Sequence, residues 1–269
     1  MTDALEDHEG TVGIGGRTIT NLRFAGDIDG LAGEEEELAN LVERLDKAST
    51  AYDMEISAQK TKLMTNNTSG INTEIKKNGQ KLETLSSFKY LGSPITDEGS
   101  KPEILFSIAQ TSVYYTRSMD KVETSLEWQE YYSQLQDTTD ALPCHIQCAC
   151  ESWILTAELQ RRIQAMDMRC YRKILRNSYK DHVTNEEVRA KIQQTNGPHE
   201  DLLTTVKWRK LQWYGHVSRS SGLAKIILRG TVKEGRRQGR QRKRWEENIK
   251  EWIGLESSKS QRAVENTEK

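Results

Sequence analysis

The chain has 269 residues, 35% of them hydrophobic and 29% charged, with a net charge of -1, a length and balance that allow one large or two modest domains with a limited core. No apolar run approaches the roughly 20 residues a membrane helix needs, and the N-terminus has no basic-then-apolar leader, so no membrane partner is expected and the chain reads as intracellular, nuclear or cytoplasmic, not secreted. Near neutrality hides a division: residues 1–150 hold 13 Lys+Arg against 25 Asp+Glu, and residues 151–269 hold 26 against 15, which suits only the C-terminal half to a polyanion.

Residues 1–16 are acidic, Gly-rich and aperiodic. Asn21 to Ala32 then reads as a β-hairpin: Leu22 and Phe24 alternate with Asn21 and Arg23, Ile28 and Leu31 carry the return, and Gly26-Asp27 supplies the turn. A hairpin with a carboxylate at its tip can hold a hard divalent cation, and an ordinary surface turn containing Asp27 is the simpler reading of these residues alone. Glu34 to Glu37 open a helix, where acids favour the positive end of the dipole, and Leu38, Leu41, Val42, Leu45 and Ala48 give it one apolar face. Met54-Glu55-Ile56-Ser57 and Leu63-Met64-Thr65 read as short strands flanking Lys60. Ile75 to Leu82 reads as a second hairpin, because Asn78-Gly79 suits the two positive-φ positions of a type I′ turn. Phe88-Lys89-Tyr90-Leu91-Gly92 follows, with aromatics beside a lysine.

These features, in this order between residues 21 and 96, resemble the palm of the reverse transcriptases of non-LTR (LINE-type) retrotransposons. Phe24-Ala25-Gly26-Asp27 resembles that family's Phe-Ala-Asp-Asp, and Phe88-Lys89-Tyr90-Leu91-Gly92 resembles its motif E. The resemblance implies an α+β fold, a partial palm of antiparallel hairpins and one packed helix followed by a mostly helical C-terminal region. It makes Asp27 a catalytic metal ligand for Mg²⁺ or Mn²⁺, puts Lys60 near the phosphates of an incoming nucleotide, and lets Lys89 and Tyr90 grip a primer strand. Gly26 departs from the family, which has its leading carboxylate there. Asp53 departs too, standing where the family has Gly. The resemblance further implies a fragment lacking the upstream catalytic strand, and hence an RNA-directed DNA polymerase remnant without activity as this chain.

Pro102 to Arg117 reads as a helix, in the resemblance the start of the thumb. From Ser118 to Gln147 acids outnumber cations and no apolar stripe persists, so a slipped reading frame and a divergent loop are both open. Residues 153–180 read as a helix with Thr156 as N-cap and Leu159, Ile163, Met166, Cys170 and Ile174 on its apolar face. Its other faces carry Arg161, Arg162, Arg169, Arg172, Lys173 and Arg176, either a row for phosphates or a solvated surface. Thr184 to Glu187 is a capping box. In Leu202 to Val217, Trp208 and Trp213 alternate with cations, either to stack bases or to build a small core. Arg236, Arg237, Arg240, Arg242, Lys243 and Arg244 form the densest basic run and the leading nucleic-acid-binding candidates. The four cysteines form neither paired Cys-x-x-Cys clusters nor a disulfide framework, so incidental reduced thiols are the simpler reading and a zinc site using His145 beside Cys144 and Cys148 the alternative. The expected divisions are 1–100 palm, 101–152 thumb-like helix and acidic linker, 153–255 basic helical region, and 256–269 disordered tail. An RNA- or DNA-binding module without catalysis, built on the basic half, is the alternative function.

Overall fold

A computed structural model describes residues 10–24, 26–65, 74–77, 79–90, 93–96, 99–123, 146, 149–197, 200–230 and 243–254. The strands are β1 (Gly13–Ile14), β2 (Arg17–Thr18), β3 (Asn21–Phe24), β4 (Asp27–Gly30), β5 (Lys62–Leu63), β6 (Lys76–Lys77), β7 (Gln80–Lys81), β8 (Glu83–Thr84), β9 (Ser87–Tyr90) and β10 (Ser93–Thr96). The helices are α1 (Glu35–Thr50), α2 (Ser100–Glu123), α3 (Ala157–Ile174), α4 (Asn185–Asn196), α5 (Leu202–Arg219), α6 (Leu223–Arg229) and α7 (Trp245–Ile253). They fall into two compact units, Met1–Lys89 with Ser220–Gln241, and Tyr90–Arg219 with Arg242–Lys269. The division at Lys89 lies inside β9, earlier than the expected boundary at residue 100, and α6 groups with the N-terminal unit.

In the N-terminal unit β3 and β4 pair antiparallel from Asn21↔Gly30 to Phe24↔Asp27. Asp27 therefore opens β4 instead of sitting in the turn as its sequence suggests. Leu41 and Leu45 of α1 are buried against Ile28, Leu38 and Ile56, each leucine contributing roughly 1.5–3 kcal/mol. The strand and helix meet closely at Gly30, where a Cβ would lie 2.8 Å from Leu41 Cδ2. A second cluster joins Leu63, Ile75 and Leu82 to Leu38, Val42 and Ala58.

Met54 to Ser57 is not a strand; it is a connection whose Ile56 packs against the α1 core and whose Ile56 carbonyl accepts a bond from the Lys77 ammonium. Lys77 is 5% exposed and pairs with Asp46 Oδ1 at 3.2 Å. The β6–β7 hairpin pairs Lys77↔Gln80, with Gly79 at φ +79°, the positive φ expected at the second position of the Asn-Gly pair; Asn78 lies outside the described residues. β5 and β8 pair in parallel.

The glutamates at the start of α1 tie chain segments together. Glu37 accepts from the Thr11 amide at 2.9 Å, the Thr11 hydroxyl and the Gly33 amide at 3.1 Å, and Glu35 accepts from the Glu74 amide at 2.7 Å. At the other end Met54 N–H donates to Ser49 O at 2.9 Å and Asp53 N–H to Thr50 O at 3.1 Å. This is a Schellman ending with Asp53 in the left-handed position, φ 54°, where Gly is favoured.

The second unit is helical. α3 starts later and ends earlier than residues 153–180: Thr156 caps it, accepting from Leu159 N, and Trp153 and Leu155 are extended core residues before it. Leu159, Ile163, Met166, Cys170 and Ile174 are all buried, in a cluster with Ile104, Trp153, Val188, Ile192, Leu203 and Val206. The capping box of α4 is formed, with Glu187 N–H donating to Thr184 Oγ1 at 3.2 Å and Thr184 N–H to Glu187 Oε2 at 2.9 Å. Buried Asp167 accepts from Leu202 N at 3.2 Å, anchoring the start of α5. α2 runs to Glu123, past the expected end at Arg117. The acidic stretch 124–145, His145, Cys144, Cys148 and the 255–269 tail lie outside the described residues.

Candidate nucleic-acid interface

The β3–β4 hairpin brings Asp27 to its tip, exposed, opposite Phe24, which is itself 60% exposed. Asp29, two residues on, shares the same face of β4 by the period of a strand and is half-buried opposite Leu22. Among the described residues no three His, Cys, Asp or Glu side chains gather where a metal ion could be held. A pair of catalytic ions needs several carboxylates about 3.5–4 Å metal to metal, so the donor set around Asp27 does not fit Mg²⁺ or Mn²⁺ in that role. Lys60 is exposed in a turn after Ser57. In β9 the side chains alternate, with Lys89 exposed and Phe88 and Tyr90 half-buried.

In the C-terminal unit the basic run divides. Arg236, Arg237, Arg240 and Arg242 lie outside the described residues, whereas Lys243 and Arg244 lie within them. Lys243 is engaged internally, donating to Leu155 O at 3.1 Å and pairing with Glu251 at 2.7 Å. Arg244 is exposed at the N-cap of α7.

Behind Lys243 is a buried polar network that no sequence pattern signals. Asn248 of α7 pairs with the Leu155 backbone as a strand would, accepting from Leu155 N at 2.8 Å and donating to Leu155 O at 2.7 Å. Lys210 of α5, fully buried, donates to Trp153 O and to Asn248 Oδ1 and lies 4.3 Å from the Trp245 ring centroid. Burial, with Lys243 nearby, pushes the Lys210 ammonium down to about 7, and Cys150 acts weakly the other way. Trp245 Nε1 donates to Glu151 O at 2.7 Å, and Trp213 meets Trp245 edge-on at 5.2 Å. Trp213 therefore helps to build a core, the simpler of its two sequence readings, whereas Trp208 is 56% exposed. Cys150 and Cys170 are buried and not disulfide-bonded, and burial pushes Cys170 up to about 12, which suits packing and not reactivity.

A concave feature of this unit is a groove of about 870 Å³ between α3 and α4. Arg161, Arg169, Arg172, Lys173 and Arg189 line it, with Glu186 the one acid among the described lining residues. Ala165 and Met168 form its floor between the arginines of α3, at positions that share one helical face. Arg172 is fixed, donating to Val183 O at 2.8 Å and Asn185 Oδ1 at 2.9 Å. Two donors in the groove-lining residues, Asn177 Nδ2 and Arg189 Nε, are buried with no partner among the described residues, at a cost of about 1–3 kcal/mol for each unmade bond. The cations of α3 are visible in its sequence. Their meeting with Arg189 is not, because it depends on how α4 packs.

The described residues thus make a mixed helix-and-strand chain whose helical second unit carries its basic groove. Comparison with known proteins gives a matching origin: the chain is 25% identical over 214 residues, 77% of its length and 74% of the relative's, to an uncharacterized transposon-derived protein of Caenorhabditis elegans. This supports a transposable-element origin. No family model matches the chain, and no solved structure matches it.

Proposed function

We propose that the chain is the remnant of a non-LTR retrotransposon reverse transcriptase, an RNA-directed DNA polymerase, without polymerase activity as this chain. The observation that carries the reading is the β3–β4 hairpin, in which Phe24 pairs with Asp27 near the tip and Gly26 stands where the resemblance has the leading carboxylate. Supporting it are the ordered motifs that follow, the transposon-derived relative, and Asp53, held at positive φ where the family has Gly. With Gly26 in place of the leading carboxylate, and with Asp29 half-buried two strand positions beyond Asp27, the hairpin lacks the adjacent pair of acids that would hold metal ions against attacking and leaving oxygens, so this reading leaves the chain without phosphoryl-transfer chemistry. The expected result of a primer-extension assay with Mg²⁺ or Mn²⁺ is no product; extension abolished by Asp27→Ala would overturn the reading.

The charge division favours a second reading, in which what survives is RNA or DNA binding through the basic C-terminal half. Arg236, Arg237, Arg240, Arg242 and the exposed Arg244 supply a dense sequence-independent footprint for phosphates. Neutralising Arg236, Arg237, Arg240 and Arg242 with Gln is expected to weaken binding at low salt; unchanged affinity would count against this run.

A further inference from the structure

We propose that the groove between α3 and α4 is a second nucleic-acid site, one that takes the sugar–phosphate backbone of a strand and does not read its bases. The proposal rests on the nucleic-acid-binding reading above and adds a site separate from the 236–244 run.

Three observations carry it. The first is charge: five cations and one acid line a concave surface, whereas a solvated helix face normally mixes both signs. The second is register. Arg169 and Arg172 lie eight and eleven residues beyond Arg161 along one helix, so the row spans about 16 Å, long enough to lie along successive phosphates of one strand. The small Ala165 between Arg161 and Arg169 keeps that row open. The third is the pair of buried donors on groove-lining residues, Asn177 Nδ2 and Arg189 Nε, which have no partner among the described residues.

The lining also defines what the site does not do. Among the described residues its lining is arginine, lysine, amide, methionine, alanine and one glutamate, with no aromatic ring, so these residues offer bases no platform on which to stack. Binding limited to phosphate and sugar fixes position without reading sequence. Arg172, already anchored to Val183 O and Asn185, is a fixed point of charge, while Arg161 and Arg169 are exposed and able to follow the strand.

The test uses the full 269-residue chain and fluorescence anisotropy with labelled 20-nucleotide single-stranded RNA and DNA, mixed-sequence and oligo-U or oligo-dT, over a salt series. Arg161→Gln with Arg169→Gln is expected to lower the slope of log K against log salt by about 1.4, at about 0.7 for each phosphate that is no longer neutralised on a single strand. The weakening should be equal for mixed and homopolymer strands, and Arg161→Lys with Arg169→Lys should restore the slope. Matching thermal unfolding of the Gln variant and the parent guards against a folding defect. An equal effect on RNA and DNA assigns the binding to phosphate; weakening on RNA alone adds the 2′-hydroxyl to the site. An unchanged slope for the Gln variant overturns the groove. If the Arg236, Arg237, Arg240, Arg242 variant then still loses binding, the nucleic-acid reading stands without the groove; if the parent chain binds neither strand, both fail.

Discussion

At the scale of single residues, two positions set local energies that can be measured. Asp53 holds the left-handed end of α1, a conformation that costs a residue with a Cβ about 1 kcal/mol. Asp53→Gly is therefore expected to stabilise the chain by about 0.5–1 kcal/mol in urea unfolding, the reverse of the usual effect of a new glycine. Lys210 gives a pH dependence. Its folded ammonium titrates near 7 and an unfolded lysine near 10.4, so above about pH 7 the unfolded chain holds the extra proton and stability rises with pH. The penalty of burying the charge is fully present below pH 7. Cys170, pushed up to about 12, acts with the opposite sign once unfolded thiols ionise near 8.5, so the clean window is about pH 7 to 8.5. The melting temperature should climb across that window in the parent chain and stay flat in Lys210→Met. A parent profile that falls there would contradict the account of the network.

At the scale of elements, hydrogen-bonded ends and apolar stripes are legible in the sequence, while pairing and polar packing are not. Thr184-x-x-Glu187 closes the capping box its spacing predicts, and Thr184→Ala should cost about 1 kcal/mol, read by thermal unfolding. The Asn78-Gly79 hairpin and the five buried positions of α3 follow from turn chemistry and 3.6-residue periodicity. Met54–Ser57 has the pattern of a strand and is not one, because Ile56 is apolar for a different reason: it packs against α1 while its carbonyl accepts from buried Lys77. Lys77, Lys210 and Lys243 look like surface cations in sequence, and each is instead held by carbonyls or carboxylates contributed by distant segments. Only the tertiary partner distinguishes a buried lysine from a solvated one. The same limit applies to the groove, whose α3 cations are legible and whose closing Arg189 is not.

At the scale of the whole molecule, the charge division and the transposon-derived relative support the proposed reading, in which nucleic-acid binding resides in the basic C-terminal half. No helix among the described residues is long and apolar enough to cross a membrane. Residues 1–150 carry a net -12 and residues 151–269 a net +11, so binding should reside in the second half and be electrostatic. The most direct measurement is the affinity of the full chain for a single-stranded RNA between about 50 and 300 mM salt. The account predicts tight binding at low salt that falls linearly on a log–log scale and is unaffected by Asp27→Ala. Absent binding, or binding indifferent to salt, would contradict it.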